Sequence, residues 1–346
     1  MTIDILPLES ILSASRDIVL ISHFNPDGDA VGSVTAAWHY LKARGKNPRI
    51  ILPSPWPESM DFLEPEGCDG KIVVCEREPE TARSLVEAAD TLVCLDLNRL
   101  DRTEYLAEDI RRSSAKKILI DHHLAAETTL FDVSVTTTEV SSTCELLFWI
   151  ISSLPDIAGD PARITLPCAE SLYVGMMTDT NNFANSVFPD TFEMAARLLA
   201  RGVDKNGLQE KVLSCYSVSR TRLMGHLAKD KMKILPRYRA AYMLLSNKDK
   251  DRYHFKIGDS EGFVNIPLTI SDVDLSALFT EDAGGAYIRV SLRSKGTLNV
   301  NRLAARSFNG GGHRNASGGR LYMPLDAVPA YFEQALAEWP EEEKFS

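Results

Sequence analysis

The chain of 346 residues has no CxxC pair among its six cysteines (68, 75, 94, 144, 168 and 215). Cys75 and Cys94 fall inside apolar strand-like runs, so the cysteines read as reduced core residues of a cytoplasmic protein. Met1 to Ser10 carries acidic residues and no basic cluster, so it does not read as a signal peptide. The longest apolar run, around Leu146 to Ile151, is far too short to span a bilayer, so no membrane partner is expected. Internal repeats and low-complexity segments are missing as well. A net charge of −10 argues against a general binder of long duplex DNA, which needs a basic footprint. One absence is local: between Ala283 and Leu325 there is no Asp or Glu, while Arg289, Arg293, Lys295, Arg302, Arg306, Arg314 and Arg320 all fall there. An acidic first half and a basic stretch in the second suggest a cation site facing an anion-holding surface.

The first half alternates strand and helix patterns. Strands are expected at Asp17–Ser22, Arg49–Leu52, Lys71–Cys75, Thr91–Leu95 and Lys116–Ile120, with helices at Ala30–Arg44 and near Thr81–Ala89. Such βαβ alternation implies an α/β fold with a doubly wound, mostly parallel sheet. Ser142-Thr143-Cys144-Glu145 matches a capping box, placing a helix over Glu145–Leu154. Pro167 suits the first turn of another helix, ending near Thr178-Asp179-Thr180. Helices at Thr191–Ala200 and Leu208–Lys229 connect to a strand-rich segment: Tyr238–Leu245, Gly262–Ile266, Ala277–Thr280, Tyr287–Arg293 and Arg320–Met323. A helix at Ala327–Glu338 follows, and Glu341–Lys344 reads as a solvated end. The expected division is 1–190, a helical linker over 191–230, and a smaller mixed-sheet α/β domain over 231–346.

Three apolar runs end on acidic or histidine motifs. Ile18–Ser22 ends on His23-Phe24-Asn25-Pro26-Asp27-Gly28-Asp29, Leu92–Leu95 on Asp96, and Ile118–Ile120 on Asp121-His122-His123. Each has an ordinary explanation: a solvated turn, a helix cap, two surface histidines. Their coincidence at one structural position is what points to a metal site, because the C-terminal strand ends of a parallel sheet converge where ligands bind. Carboxylates gathered this closely repel unless cations neutralise them. Mixed oxygen and imidazole donors suit Mn²⁺ or Mg²⁺ and admit Zn²⁺, Fe²⁺ or Co²⁺. In the second half, Gly310-Gly311-Gly312-His313 lets backbone N–H groups approach an anion, and Arg293 can grip a phosphate through two donors. Gly311, Gly312, His313 and Arg293 are therefore candidates for holding substrate.

Together with Thr178-Asp179-Thr180, these strand-end motifs resemble the four ordered motifs of the DHH phosphoesterases. Ser291-Leu292-Arg293-Ser294 and the glycine loop resemble the DHHA1 domain of the same superfamily. Length and motif order are most similar to its nanoRNase (oligoribonuclease) and pAp phosphatase branch. The resemblance implies two divalent ions, Mn²⁺ above all, with Mg²⁺ or Co²⁺ as alternatives. His23 and Asp27 would hold one; Asp29, His122 and Asp179 the other; Asp96 would bridge. It also implies that Asp121 orients a histidine of its motif, that His123 faces the substrate phosphate, and that Arg102 corresponds to a family arginine. The expected substrates are short RNA oligonucleotides and 3′-phosphoadenosine 5′-phosphate (pAp), presented in an interdomain cleft.

Two departures leave nucleotide preference open: Asn299-Val300-Asn301 stands where Asp-Val is common, and Ala316-Ser317-Gly318-Gly319 where Ala-Ala-Gly is usual. Ser141-Ser142-Thr143 fits either a phosphate contact or a helix cap. A phosphodiesterase for cyclic or linear dinucleotides and a catalytically silent nucleotide-binding module are the competing functions. Cleavage polarity and oligomeric state, a homodimer included, stay open.

Overall fold

The computed structural model describes residues 4–66, 72–213 and 216–345. Lys71 of the third expected strand, Cys68, Cys215 and the first three residues lie outside them. The chain divides into two compact units, 1–215 and 216–346.

In the first unit the strands are β1 (Asp17–Ile21), β2 (Asn47–Leu52), β3 (Val73–Val74), β4 (Thr91–Leu95), β5 (Lys116–Asp121) and β6 (Val133–Thr136). They form one sheet of order β3-β2-β1-β4-β5-β6, and every pairing in it is parallel. The helices are α1 (Leu6–Ala14), α2 (Gly28–Ala43), α3 (Pro79–Ala88), α4 (Ala107–Arg112), α5 (Thr143–Ser153), α6 (Leu166–Asp179), α7 (Pro189–Arg201) and α8 (Lys205–Leu213). Residues 18–21 of β1 and all of β4 are buried. Strands covered on both faces need continuous apolar runs rather than alternation. One core layer packs Leu20, Val93 and Ile120 against α1, α2, α5 and α6. The other packs Val19, Ile21, Cys94 and Leu119 against Ala82, Val86 and Ile110. Among the described cysteines, 75, 94, 144 and 168 are free and buried. Burial pushes the Cys94 and Cys168 thiols up to about 12, so neither is a reactive thiolate.

The second unit begins with α9 (Val218–His226) and contains β7 (Lys233–Leu235), β8 (Ala240–Leu245), α10 (Asn247–Arg252), β9 (Leu275–Glu281), β10 (Ile288–Ser294), α11 (Val300–Ser307), β11 (Gly311–Gly312), β12 (Ala316–Leu321), α12 (Val328–Ala337) and α13 (Glu341–Lys344). Its sheet, ordered β11-β12-β10-β9-β8-β7, is mixed: β8 and β9 run parallel and the remaining pairs antiparallel. The architecture is thus a mostly parallel α/β unit joined through helices to a smaller mixed-sheet unit.

Four sequence expectations are corrected. Gly262–Ile266 is no strand but the start of a 3₁₀ helix, Phe263–Thr269. Gly262 takes φ +78° there, and Pro267 has no N–H to give a ladder. The single helix expected at 208–229 is α8 and α9, because Ser217 caps a new start by accepting from the Arg220 N–H. The last strand begins at Ala316 rather than Arg320, paired to β10 from its first residue. The acidic end is not merely solvated: Glu341–Lys344 is a helical turn, with Arg306 3.3 Å from Glu343 and the Asn299 N–H bonded to the Lys344 carbonyl at 2.6 Å. No helix among the described residues is long and apolar enough to cross a membrane.

Candidate metal centre

In the parallel sheet the direction of strand addition reverses between β1 and β4. The carboxyl edge at such a switch point is where open α/β sheets bind ligands. β1 leads into His23, β4 into Asp96, and β5 ends on Asp121 followed by His122 and His123, so three adjacent strands deliver their motifs side by side. Asp96 takes φ +60°, a region costly for most side chains, and so turns the chain out of β4.

Helices bring the remaining carboxylates. Asp27 is the N-cap of α2, its Oδ1 accepting from the N–H groups of Asp29 and Ala30 at 3.1 Å each. Asp29, in the first turn of α2, accepts from the Thr143 N–H at 2.7 Å and the Cys144 N–H at 2.9 Å. It therefore sits on the positive end of α5, which favours a carboxylate. The Thr143 hydroxyl donates to Asp96 Oδ1 at 3.0 Å. Ser142 caps α5 by accepting from the Glu145 N–H at 3.0 Å. Glu145 does not close the expected box onto Ser142; its carboxylate takes the N–H and hydroxyl of Ser141 and the hydroxyl of Thr191. Asp179 is the final residue of α6.

Small residues let these helices come close. A Cβ added at Gly32 would lie 2.6 Å from the Ser171 carbonyl oxygen, and one at Gly28 2.3 Å from Thr178 Oγ1. At Gly175 it would lie 2.1 Å from Cys144 Sγ and 2.8 Å from Asp29 Oδ1. Thr143, which the sequence allows as a phosphate contact or a helix cap, instead binds Asp29 and Asp96. Cys144 and Gly175 have no sequence assignment to the site, a glycine within an expected helix being the available signal for the latter.

The side chains form two groups that share Asp96. In the first, His23 Nε2 lies 3.4 Å from Asp96 Oδ2 and 3.9 Å from Asp27 Oδ1. In the second, His122 Nε2 lies 3.7 Å from Asp29 Oδ2, 3.6 Å from Asp96 Oδ1 and 3.5 Å from Asp179 Oδ2. All six expected ligands thus come together, and Asp96 turns one oxygen to each group. A divalent ion fits the donor set. His23 Nδ1 lies 2.9 Å from the Phe24 carbonyl oxygen, which can only accept, so Nδ1 carries the proton and Nε2 a lone pair. That buried Nε2 has no hydrogen-bond partner and faces two carboxylates. A cation between them satisfies it; among the described residues no proton donor reaches it.

Asp121 serves His123 rather than His122. It is fully buried and accepts from His123 Nδ1 at 2.8 Å and from the His123 backbone N–H at 3.1 Å. On the ring's other side Arg102 Nη1 donates to His123 Nε2 at 3.3 Å. Burial works against the charged ring, but the Asp121 hydrogen bond and the fields of Asp96 and Asp121 outweigh it, so the His123 pKa is raised. The Arg102 contact, by contrast, suits a neutral ring with its lone pair on Nε2.

The carboxylates carry opposite shifts. Burial, with Asp96, Asp179 and Asp27 nearby, drives the Asp29 pKa well above the ordinary range. Burial alone would do the same to Asp96, but His23, His123 and His122 in their protonated forms hold it below the usual carboxylate range. Burial lowers His122 to about 4, leaving a neutral imidazole of the kind that ligates metals.

The second unit holds the other expected residues. Arg293 lies on β10, its Nη1 donating to the Leu292 carbonyl at 3.0 Å. Gly311 and Gly312 form β11, exposed and paired with Gly318 and Ser317. His313 turns the chain, exchanging backbone hydrogen bonds with Ala316 at 2.8 and 3.3 Å. Gly310 and Gly312 are the glycines that packing demands: a Cβ would lie 1.8 Å from the Gly318 oxygen at the first and 2.7 Å from the Ala316 oxygen at the second, where φ is +143°. At Gly311 the nearest atom is 3.4 Å away.

Residues 17–176 match the DHH family, N-terminal domain, and residues 239–339 match the DHHA1 domain. The crystal structure of an exopolyphosphatase-related protein from Bacteroides fragilis is 38% identical with a TM-score of 0.87, covering 96% of this chain and 94% of that one. The bifunctional oligoribonuclease and PAP phosphatase NrnA of Thermus thermophilus is 27% identical over 93% of this chain and 89% of its own length. The cyclic-di-AMP phosphodiesterase GdpP of Geobacillus thermodenitrificans is 23% identical over 96% of this chain but only 48% of its own length. The chain belongs to the DHH/DHHA1 phosphoesterase superfamily, and its clustered His and Asp side chains are those of a metal-dependent phosphoesterase.

Proposed function

We propose that the protein is a manganese-dependent phosphohydrolase that degrades very short oligoribonucleotides to mononucleotides and converts pAp to AMP. The observation that carries this reading is Asp96, whose two carboxylate oxygens face two separate His/Asp groups. A carboxylate shared between two groups can hold two ions close together, the spacing at which paired metals clamp a transferring phosphoryl group. The likeness to the Thermus thermophilus enzyme supports the substrate class.

When bound, two divalent ions would supply the positive field that acidifies water and neutralises charge on a transferring phosphoryl group. His23 and Asp27 would hold one, and Asp29, His122 and Asp179 the other, with Asp96 between them. The remaining groups act directly. Arg102 offers donors to a phosphate oxygen. Asp121 fixes the His123 ring so that Nε2 faces Arg102 and the reacting group, where it can exchange a proton with the departing oxygen. Arg293, the backbone N–H groups of Gly311 and Gly312, and His313 hold the nucleotide's phosphate.

The test incubates the protein with Mn²⁺ and, in parallel, pAp, a labelled diribonucleotide and a long single-stranded RNA. Turnover of the two short substrates, lost in Asp96→Ala and His122→Ala variants that remain folded, is expected. Turnover of the long RNA alone contradicts the reading. Cleavage of a cyclic dinucleotide in preference to both short substrates would favour the phosphodiesterase reading, which the likeness to GdpP motivates.

A further inference from the structure

Side-chain alternation sorts β10 into two faces. Ile288, Val290 and Leu292 are buried in the core formed with α11 and α12, so Arg289, Ser291 and Arg293 point the other way. The antiparallel register sets Arg320 beside Arg289, Gly318 beside Ser291 and Ala316 beside Arg293, and residues paired across a ladder share a face. Over β8 and β9 that face is covered, Leu223, Leu227, Phe263 and Val264 packing on Met243, Leu245 and Leu278. Over β10 and β12 it is open: Arg320 is exposed, and Arg289 is exposed too, although its Nη2 donates to Ser260 Oγ at 3.1 Å.

At the end of this ribbon away from Arg293 stands an aromatic pair. The Arg320 guanidinium lies 4.9 Å from the centre of the Tyr287 ring, and the Tyr322 ring lies 6.5 Å from that of Tyr287. Tyr322 is 69% exposed. A single arginine over a tyrosine is ordinary packing. Here it lies on the open face that also carries Arg289 and Arg293, within a stretch free of carboxylates. The acids that bracket the stretch are Asp282, which turns back to accept from the Gly284 N–H at 3.0 Å, and Asp326, four residues beyond Tyr322. Six residues of extended chain separate Arg293 from Tyr287, roughly 20 Å at about 3.3 Å per residue. That is far more than one phosphate needs and enough for a few nucleotides.

We propose that the open face of the β10–β12 ribbon is a track for the second and later nucleotides of a short single-stranded RNA. Arg289 and Arg320 meet backbone phosphates, and Tyr287 and Tyr322 stack a base. This combination of positive charge and ring faces binds single strands without reading their sequence, because every base offers a π face. The track rests on the proposed function, since Arg293 must hold the nucleotide from which the strand extends. It adds a reason for preferring an oligonucleotide of several residues over a dinucleotide.

The test measures binding of fluorescent pentaadenylate to the full chain without divalent ion, and separately kcat/KM for pAp with Mn²⁺. Tyr322→Ala and Arg320→Glu should each weaken pentaadenylate binding roughly tenfold, with pAp turnover unchanged and Tyr322→Phe restoring affinity. Unchanged pentaadenylate affinity in both variants, no measurable binding by the unmodified protein, or an equal fall in pAp turnover overturns the track. If the protein hydrolyses neither substrate yet the variants still lose pentaadenylate, the track stands and the proposed hydrolase does not.

Discussion

The backbone N–H of Thr143 donates to the carboxylate of Asp29 at 2.7 Å, tying the start of α5 to the first turn of α2. The Thr143 hydroxyl reaches Asp96 at 3.0 Å, so one residue touches a carboxylate of the second group and the carboxylate both groups share. Thr143→Val keeps the N–H and removes the hydroxyl. We expect a loss of about 1 kcal/mol in stability and a fall in kcat that Thr143→Ser restores, read by urea denaturation and steady-state kinetics.

Gly175 leaves no room for a methyl group, with Cys144 Sγ and Asp29 Oδ1 both inside contact distance of the added carbon. Gly175→Ala should destabilise the protein by about 1–3 kcal/mol and weaken Mn²⁺ binding by displacing Asp29. Thermal denaturation with and without Mn²⁺ separates the two effects: the ion should raise the melting temperature less in the variant than in the unmodified protein.

Burial first, and then repulsion from Asp96, Asp179 and Asp27, drive the Asp29 pKa up, and cations relieve the repulsion. Saturating Mn²⁺ should therefore stabilise the fold, by about 2.7 kcal/mol at a hundredfold excess over Kd. Chelation should reverse the gain, and no shift in melting temperature on adding Mn²⁺ would contradict the site.

Asp121 fixes the His123 ring through two hydrogen bonds. Asp121→Asn, nearly isosteric, should leave the fold intact and lower kcat by about 10²-fold or more, the scale of a lost general acid or base. A circular dichroism spectrum like that of the unmodified protein, together with assay of pAp turnover, checks both halves of this statement.

Burial lowers His39 to about 4, whereas an unfolded histidine titrates near 6.5. Above about pH 6.5 the ring is neutral in both states. Between there and about pH 4 the unfolded chain takes a proton that the native chain refuses, so stability falls as pH falls. The ring is partly exposed, and screening reduces the effect to about 1–2 kcal/mol. Urea denaturation from about pH 7 to 5 should show this slope in the unmodified protein and a flatter one in His39→Gln.

The sheet of the first unit was legible because its strands are uninterrupted apolar runs, and their endings at His23, Asp96 and Asp121 mark the edge that binds. Asp179 was legible only through its motif, because it arrives from the end of α6 rather than from a strand. The backbone N–H groups of Thr143 and Cys144 that hold Asp29 were hidden because no residue type announces them. The Thr143 hydroxyl lay in the Ser141-Ser142-Thr143 run, but its partner Asp96 is distant in sequence. The short 3₁₀ helix at Phe263–Thr269 was misread as a strand because an apolar run of that length fits either, and only Gly262 and Pro267 argued otherwise. Likewise the glycine loop was read for backbone N–H groups open to an anion, whereas packing is what requires glycine at Gly310 and Gly312, where the loop meets Gly318 and Ala316.

The central claim is that Asp96 joins two cation sites into one centre. Isothermal titration of the full chain with Mn²⁺ tests it directly, comparing the unmodified protein with Asp96→Ala. Two ions per chain, falling to one or none in the variant together with loss of pAp hydrolysis, is the expected result. Two ions bound by the variant, with turnover close to that of the unmodified protein, would contradict it.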